Sequence, residues 1–217
     1  MKIHLKPKTG GRKDREYQAR RADILRAAEK LFGERGFQRA TMSDLAGLSE
    51  FSVGTIYNFF KSKEEIYYTL ILEKFDLFQR QLNKEVKQCP AGRPQIRALI
   101  EAALIFFQEN QGFFRIFLQE RSTLESVVGA AAREELRKKY LAYIDFVAQV
   151  MARAIKKRDL QDLHPREFAY SLVGMLNSFI FHWTLYPQGN ELISKVPFIY
   201  DLFLNGVAQR EEDPHAV

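Results

Sequence analysis

The sequence has one cysteine and no long apolar run, and each scarcity excludes a class of protein. Because Cys89 is alone among 217 residues, no intramolecular disulfide can form, as expected of a reducing compartment. The basic N-terminus lacks the apolar core of a secretory signal. The most apolar later stretch, from Ser171 to Tyr186, is interrupted by polar residues and too short to span a bilayer comfortably. We therefore expect a cytoplasmic protein without a membrane segment.

The few histidines provide no recognisable catalytic or metal site. His4, His164, His182 and His215 are dispersed, and two of them lie near the termini. The sequence contains no His-Glu-x-x-His helix, no phosphate-binding glycine loop and no cysteine-rich metal spacing. We therefore predict no catalytic residue, no metal and no cofactor, and we do not expect an enzyme.

The positive charge is concentrated in the first third of the chain. The whole chain carries a net charge of +6, and residues 1–63 hold 14 basic and 7 acidic side chains. The remainder is nearly neutral. Such a field favours a polyanionic partner for the N-terminal segment. The alternative interpretation, a basic tail attached to an ordinary domain, would explain only the excess positive charge of residues 2–21.

Helical periodicity runs through the chain, and no segment reads as a strand, so an all-α fold is predicted. An amphipathic helix spans Arg20 to Arg35, and Thr41 and Ser52 are suited to cap two short helices after it. A capping box at Ser62–Glu65 begins a long fourth helix that ends near Cys89. Longer, aromatic helices follow.

The last two predicted helices carry apolar residues on more than one face. A helix of that kind must be covered on both sides, which indicates a subunit interface and a homodimer. The predicted interface residues are Phe168, Leu172, Met175, Phe179, Trp183, Val196, Ile199, Tyr200, Phe203 and Leu204.

The third short helix is a poor helix by intrinsic propensity, because Ser, Val, Gly, Thr and Asn all rank low. Small and polar residues are what a helix needs on the face that enters the major groove of DNA. A short packing helix is the alternative interpretation. The residues predicted to contact double-stranded DNA are Thr41, Ser52, Val53, Gly54, Thr55, Tyr57, Asn58, Lys61 and Lys63.

These elements together resemble the TetR family of helix-turn-helix transcriptional regulators. The similarity covers roughly residues 20–72 and includes Gly36-Phe37, Leu45-Ala46, the run from Ser52 to Phe60, and Lys63-Glu64-Glu65. It implies phosphate contacts for Thr41 and Tyr57, base-facing positions for Thr55 and Asn58, and a phosphate anchor at Lys63. It also implies a homodimer on a palindromic operator, controlled by a small-molecule effector, as a repressor or an activator.

The resemblance gives the domain layout that we expect. Residues 1–19 form a basic flexible arm, 20–65 a three-helix helix-turn-helix DNA-binding domain, 66–210 a helical ligand-binding and dimerisation domain, and 211–217 a tail. The turn departs from the family pattern, because Ser49-Glu50-Phe51 replaces Ala-Gly-Val. Either Glu50 adopts the left-handed conformation that glycine normally supplies, or the turn differs slightly from that of the family.

The aromatic content of the later helices favours an apolar or aromatic ligand. Ordinary core packing is the competing explanation for each residue. Two other functions remain open: an architectural DNA-binding protein without ligand control, and a helical carrier of hydrophobic molecules. The predicted ligand-binding residues are Phe106, Phe107, Phe113, Phe117, Tyr140, Tyr143, Phe146, Tyr170, Asn177 and His182.

Overall fold

A computed structural model describes residues 11–113, 116, 130–186, 189 and 191–206. These residues are helical or lie in turns, and none of them is in a strand, which confirms the predicted all-α class. The helices are α1 (Arg12–Arg35), α2 (Met42–Ser49), α3 (Val53–Tyr57), α4 (Lys63–Lys87), α5 (Arg93–Glu109), α6 (Ala130–Lys156), α7 (Pro165–Leu185), a 3-10 turn (Leu192–Lys195) and α8 (Val196–Asn205).

Helix α1 begins eight residues earlier than the sequence pattern predicts. Residues 12–19, which were assigned to a flexible arm, continue the helix, and all of them are exposed. The prediction relied on apolar periodicity, which is absent from this segment. The segment is instead supported by an ion pair between Glu16 and Arg20 and by a contact between the rings of Tyr17 and Phe59.

The chain divides into two compact units, which we describe separately. The first comprises Met1–Arg80 and Glu109–Tyr143, and the second comprises Gln81–Gln108 and Ile144–Val217. In the first unit, α2 contacts both α1 and α3. The buried side chains that fill this unit include Ile24, Ala28, Leu31, Phe32, Phe37, Leu45, Ile56, Phe60, Ile66, Tyr67 and Leu70.

An aromatic cluster joins α1, the turn after it and α4. The ring of Phe37 lies 4.7 Å from that of Tyr67 and 5.6 Å from that of Phe32, measured between centroids. Tilted pairs at these separations contribute about 0.5–1.5 kcal/mol each beyond the burial of their area. Two ion pairs also link the helices, Arg21 to Glu73 and Glu29 to Lys74. Helix α1 and the turn after it are thereby held against the first half of α4.

The second unit packs α5, the second half of α6, α7 and α8 around an apolar core. Buried Gln95 organises its polar contacts: Nε2 donates to the carbonyls of Val86 and Cys89, and Oε1 accepts from Nε of Arg153. The amide thus gives a hydrogen-bond donor to carbonyls at and just beyond the end of α4, where the intrahelical bonds end. Among the described residues, no helix has both the length and the apolar character needed to cross a membrane.

Candidate nucleic-acid interface

Helix α2 begins at the Thr41 cap that the sequence predicts, and this cap has the form of a capping box. The Thr41 hydroxyl accepts a hydrogen bond from the backbone N–H of Asp44 at 3.0 Å, and Asp44 Oδ2 accepts one from the backbone N–H of Thr41 at 3.0 Å. Arg35 donates to the other carboxylate oxygen. The hydrogen bond from the Thr41 hydroxyl, its backbone N–H and the charge of Arg35 lower the pKa of Asp44.

In the turn between α2 and α3, a glutamate occupies the position where the family pattern has a glycine. Glu50 has φ 58° and ψ 24°, a left-handed conformation. This conformation costs an L-residue about 1–2 kcal/mol relative to glycine. Ser52, two residues later, caps the N-terminus of α3. The departure from the family's Ala-Gly-Val therefore leaves the turn in place.

Helix α3 is short and is held at its start and at one buried residue. The Ser52 hydroxyl accepts from the backbone N–H of Thr55 at 3.0 Å and lies 2.8 Å from the Thr55 hydroxyl. Ile56 is fully buried. A cap of this kind contributes about 1 kcal/mol. The cap and Ile56 explain how a sequence of low propensity remains helical here.

The predicted DNA-contacting side chains of α3 share its outer face. Tyr57 is 50% exposed and Val53 37%, and Gly54 and Asn58 are exposed as well. Thr55 is only half-buried, and its hydroxyl is already engaged by Ser52. Nothing within the described chain covers these outward residues, so they can approach a major groove.

The two lysines that follow α3 have different surroundings. Lys61 is exposed, and its backbone N–H donates to Glu65. Lys63 directs its ammonium toward the carbonyl oxygens of Phe37 and Ala40, each at 2.8 Å. The ammonium of Lys63 therefore uses two of its three N–H donors in hydrogen bonds within the fold. Its role as a phosphate anchor stays a prediction.

Two contacts beside the interface cannot be predicted from the local sequence. The ring of Tyr17 lies 4.6 Å from that of Phe59, and the guanidinium of Arg21 lies over the ring of Phe60 at 5.4 Å. Both phenylalanines directly follow the outward residues of α3. The first part of α1 is thereby attached to the end of the recognition element. Only the folded structure shows it, because the partners are far apart in sequence.

Three predicted ligand-binding residues lie on the outer face of α7. Tyr170, Asn177 and His182 are all exposed, Tyr170 by 45%. Aromatic and polar residues at helical spacing gave no means of telling an inner face from an outer one. Their exposure places them outside the buried core of this chain, and their role in binding a ligand stays a prediction.

The other predicted ligand-binding residues belong to both units. In the first unit, Phe113 and Tyr143 are buried and Tyr140 is exposed. In the second, Phe106 is buried, and Phe107 and Phe146 are half-buried; Phe117 lies outside the described residues. The ring contacts of Tyr143 with Phe75 and Phe78 fit ordinary packing of the first unit. A ligand role for these residues stays a prediction.

The first unit itself contains an open groove of about 390 Å³ between α1 and α4. Leu25, Leu70 and Leu77 form its apolar part. Charged residues of both signs border it, including Glu29 and Lys74, which pair with each other at 2.9 Å. A groove with such a border is a poor match for a purely apolar ligand.

The predicted dimerisation residues separate into a buried and a partly exposed group. Leu172, Val196 and Ile199 are at most 4% exposed and belong to the core of the second unit, so we correct their assignment as surface residues. Their apolar periodicity is that of the inner face. The partly exposed residues, which can still contribute to an interface, are Phe168, Met175, Phe179, Trp183, Tyr200, Phe203 and Leu204.

Comparisons with known proteins identify both parts of the chain. Residues 24–68 match the family of bacterial regulatory proteins called tetR, and residues 91–189 match a tetracyclin repressor-like C-terminal domain. Together the two matches cover about two thirds of the chain. The first match contains the caps at Thr41 and Ser52 and the outward face of α3.

Individual relatives agree with this match. A fatty acid metabolism regulator protein of Bacillus subtilis is 20% identical over 85% of this chain and 93% of its own length. The structure of FadR from Bacillus subtilis in complex with stearoyl-CoA has a TM-score of 0.72 and 19% identity, covering 86% of this chain and 99% of that one.

A transcriptional regulator from Saccharomonospora viridis, in complex with choline, has a TM-score of 0.76 and 20% identity and covers 89% of this chain and 100% of that one. The same architecture therefore occurs in proteins solved with chemically different ligands. With both of its domains matched and its recognition helix in place, this chain is a helix-turn-helix, DNA-binding transcriptional regulator of the TetR family, and not an enzyme.

Proposed function

We propose that this regulator is a repressor that binds a palindromic operator as a homodimer and is released by a small apolar ligand. The observation that carries the proposal is the outer face of α3, where Tyr57 and Asn58 are exposed on a helix fixed by Ser52 and Ile56. Side chains on a fixed helix can read base edges with little loss of conformational entropy on binding.

The proposed dimer surface is the outer face of α7. Tyr170, Gly174, Phe181 and Leu185 follow one another at helical spacing and are all exposed, each large side chain by 45–46%. A Cβ built on Gly174 would meet no atom within 4 Å. An exposed aromatic stripe with a small residue at its centre suits close packing against an identical helix.

Helix α8 extends the same apolar surface. Phe198 is 57% exposed, and its ring lies 5.8 Å from that of Phe179 on α7. Pairing two copies through these helices would fix the separation of the two recognition helices. Half-sites about 34 Å apart, one helical turn of DNA, require such a fixed separation.

For the effector we propose the acyl chain of a long-chain acyl-CoA as the first candidate. The relatives named for fatty acid metabolism and the stearoyl-CoA complex support this choice. The buried and half-buried aromatics of the second unit, Phe106, Phe107 and Phe146, offer the apolar contacts that such a chain requires. An effector that favours another separation of the recognition helices lowers operator affinity, typically by 1–3 kcal/mol of coupling.

The test is a selection from random duplex DNA with purified protein near physiological salt, followed by sequencing. We expect enrichment of an inverted repeat. A pool without enrichment would contradict operator recognition and would favour an architectural protein. The selected duplex is then titrated with stearoyl-CoA, with coenzyme A and choline as controls. We expect only stearoyl-CoA to release the protein from the duplex. Equal affinity for the duplex in the presence of each of the three compounds would exclude acyl-CoA as the effector.

Repression is tested separately, because operator binding alone does not give the sign of regulation. The selected repeat is placed across the promoter of a reporter gene in a cell that lacks the regulator. We expect expression of the regulator to lower the reporter signal, and stearoyl-CoA to restore transcription in a purified system. A rise in the signal would show an activator.

A further inference from the structure

The first turns of α1 have no role in the core. Every described residue from Gly11 to Arg20 is exposed, so none of these side chains belongs to the buried core. An exposed helix end of this length ordinarily frays, because helical stability in proteins comes mainly from a packed face. The segment carries Arg12, Lys13, Arg15 and Arg20 against two acidic residues.

A ring contact fixes where this segment lies. Tyr17 packs on Phe59 at 4.6 Å with an angle of 30° between the ring planes, and Arg21 lies over the ring of Phe60 one turn later. Phe59 directly follows Asn58, an exposed member of the recognition face. The two contacts therefore place the first turns of α1 beside the end of the surface that faces DNA.

Helical spacing separates the basic residues of the segment by face. Lys13 lies one turn before Tyr17 and on the same face, about 6 Å along the helix axis. Arg15 lies two residues before Tyr17, on the opposite side of the helix. Both side chains are exposed. Of the two, only Lys13 projects on the side that Tyr17 turns toward the recognition element.

We propose that this segment is a second DNA-binding element, in which Lys13 contacts a backbone phosphate flanking each half-site. The partner is duplex DNA because the segment is basic and continuous with the recognition surface, and a phosphate because a flexible ammonium recognises charge without reading sequence. Tyr17 is the positioning residue. This inference rests on the proposed operator binding and adds a site outside the helix-turn-helix.

The test compares K13Q with R15Q in the full-length protein, because each removes one positive charge from the same exposed segment. The affinity for a duplex carrying the selected repeat and its flanks is measured as salt is raised. For K13Q we expect the slope of log K against log salt to become shallower by about 0.9 per protomer. For R15Q we expect a much smaller change. Equal changes in the two variants would overturn the proposal.

Trimming the duplex to the repeat alone gives an independent measurement. On the trimmed duplex the wild-type protein should bind only as tightly as K13Q binds the long duplex. The affinity of K13Q should be the same for both duplexes. Wild-type binding that does not depend on the flanks would contradict the inference but leave operator binding intact. Failure of the wild-type protein to bind any duplex would instead contradict the proposed function.

The positioning role of Tyr17 is tested with Y17A and Y17F. Y17F keeps the ring on Phe59 and should retain the wild-type salt dependence. Y17A should show the shallower slope of K13Q, and the double variant should be no worse than either single one, because both remove the same contact. Additive losses would show that Tyr17 does not act through Lys13. Thermal unfolding checks that Y17A remains folded.

Discussion

The ammonium nitrogen of Lys63 lies 2.8 Å from the carbonyl oxygen of Phe37. It also donates to the carbonyl of Ala40 and lies 4.3 Å from the centroid of the Phe37 ring. The first residue of α4 thus closes the turn that joins α1 to α2. Lys63 therefore fastens the start of α4 to the segment that connects the first two helices of the DNA-binding domain.

Replacing Lys63 with Met should destabilise the protein. The variant keeps the apolar stem but removes two charge-assisted hydrogen bonds and a cation–π contact, and we expect a loss of about 2 kcal/mol in the free energy of unfolding. Urea denaturation measures it. Lys61→Met is the matched control, because the ammonium of Lys61 is exposed. Equal stability of the two variants would contradict this role.

The variant Lys61→Met also tests one of the phosphate contacts that the sequence predicts. A lysine that neutralises a phosphate should reduce the slope of log K against log salt by about 0.9 when it is removed. We expect this reduction for Lys61→Met. An unchanged slope for Lys61→Met would exclude Lys61 as a phosphate contact.

The capping box of α2 should make folding sensitive to acid. Hydrogen bonds from Thr41 and the charge of Arg35 lower the pKa of Asp44 in the folded state, so its contribution is present above the unfolded pKa of about 3.9. As pH falls through the folded pKa, that contribution is lost. Urea midpoints between neutral and acid pH should therefore fall less for Asp44→Asn than for wild type. Asp162→Asn, which removes an exposed carboxylate, should behave as wild type.

Replacing Glu50 with Gly should stabilise the protein. Removing the Cβ relieves a left-handed strain of about 1–2 kcal/mol, and the greater freedom of glycine in the unfolded chain offsets about 0.5–1 of it. We expect a net gain of up to about 1 kcal/mol by urea denaturation. Glu50→Gln keeps the strain and should show no gain. A gain in Glu50→Gln would attribute the effect to charge.

Asn58 and Tyr57 should affect DNA binding in different ways. Asn58→Ala should change the preferred base at one position of each half-site, with a difference of about 1–3 kcal/mol if the amide makes a bidentate contact. Tyr57→Phe should weaken binding to all sequences alike, because its hydroxyl is predicted to contact phosphate. Repeating the selection with each variant measures both. An unchanged consensus for Asn58→Ala would exclude it as a reader.

Substituting Gly174 with Arg should separate the proposed dimer. The new side chain meets open space within the chain but would fall at the centre of the α7 surface. We expect a monomer by analytical ultracentrifugation, with secondary structure unchanged. Gly47→Arg places the same residue at another helical glycine with no atom within 4 Å of its Cβ and should remain a dimer. A Gly174→Arg variant that remains dimeric would show that the dimer interface lies on another face.

The features that the sequence predicts correctly are local. Thr41 and Ser52 cap the helices that follow them, because a cap is a contact between a side chain and a backbone N–H three residues ahead. The left-handed conformation of Glu50 is one of the two outcomes expected from the family pattern, which has glycine at that position. Each of these was determined by a few neighbouring residues.

The features that the sequence does not predict depend on distant partners. The start of α1 at Arg12 depends on the ring of Phe59, and the direction of the Lys63 ammonium depends on the carbonyls of Phe37 and Ala40. The outer face of α7 was not recognised from the sequence because aromatics occur on both of its faces, so periodicity did not distinguish core from surface. Only the packed partners make that distinction.

The way in which α3 is held also affects how this protein can change its target. Of the five residues of the helix, only Ile56 is buried, and the cap is supplied by Ser52, which precedes the helix. Val53, Gly54 and Tyr57 can be exchanged with little effect on folding, because surface substitutions usually change stability by less than about 0.5 kcal/mol. New operator preferences are therefore accessible by single substitutions, to natural variation and to design alike.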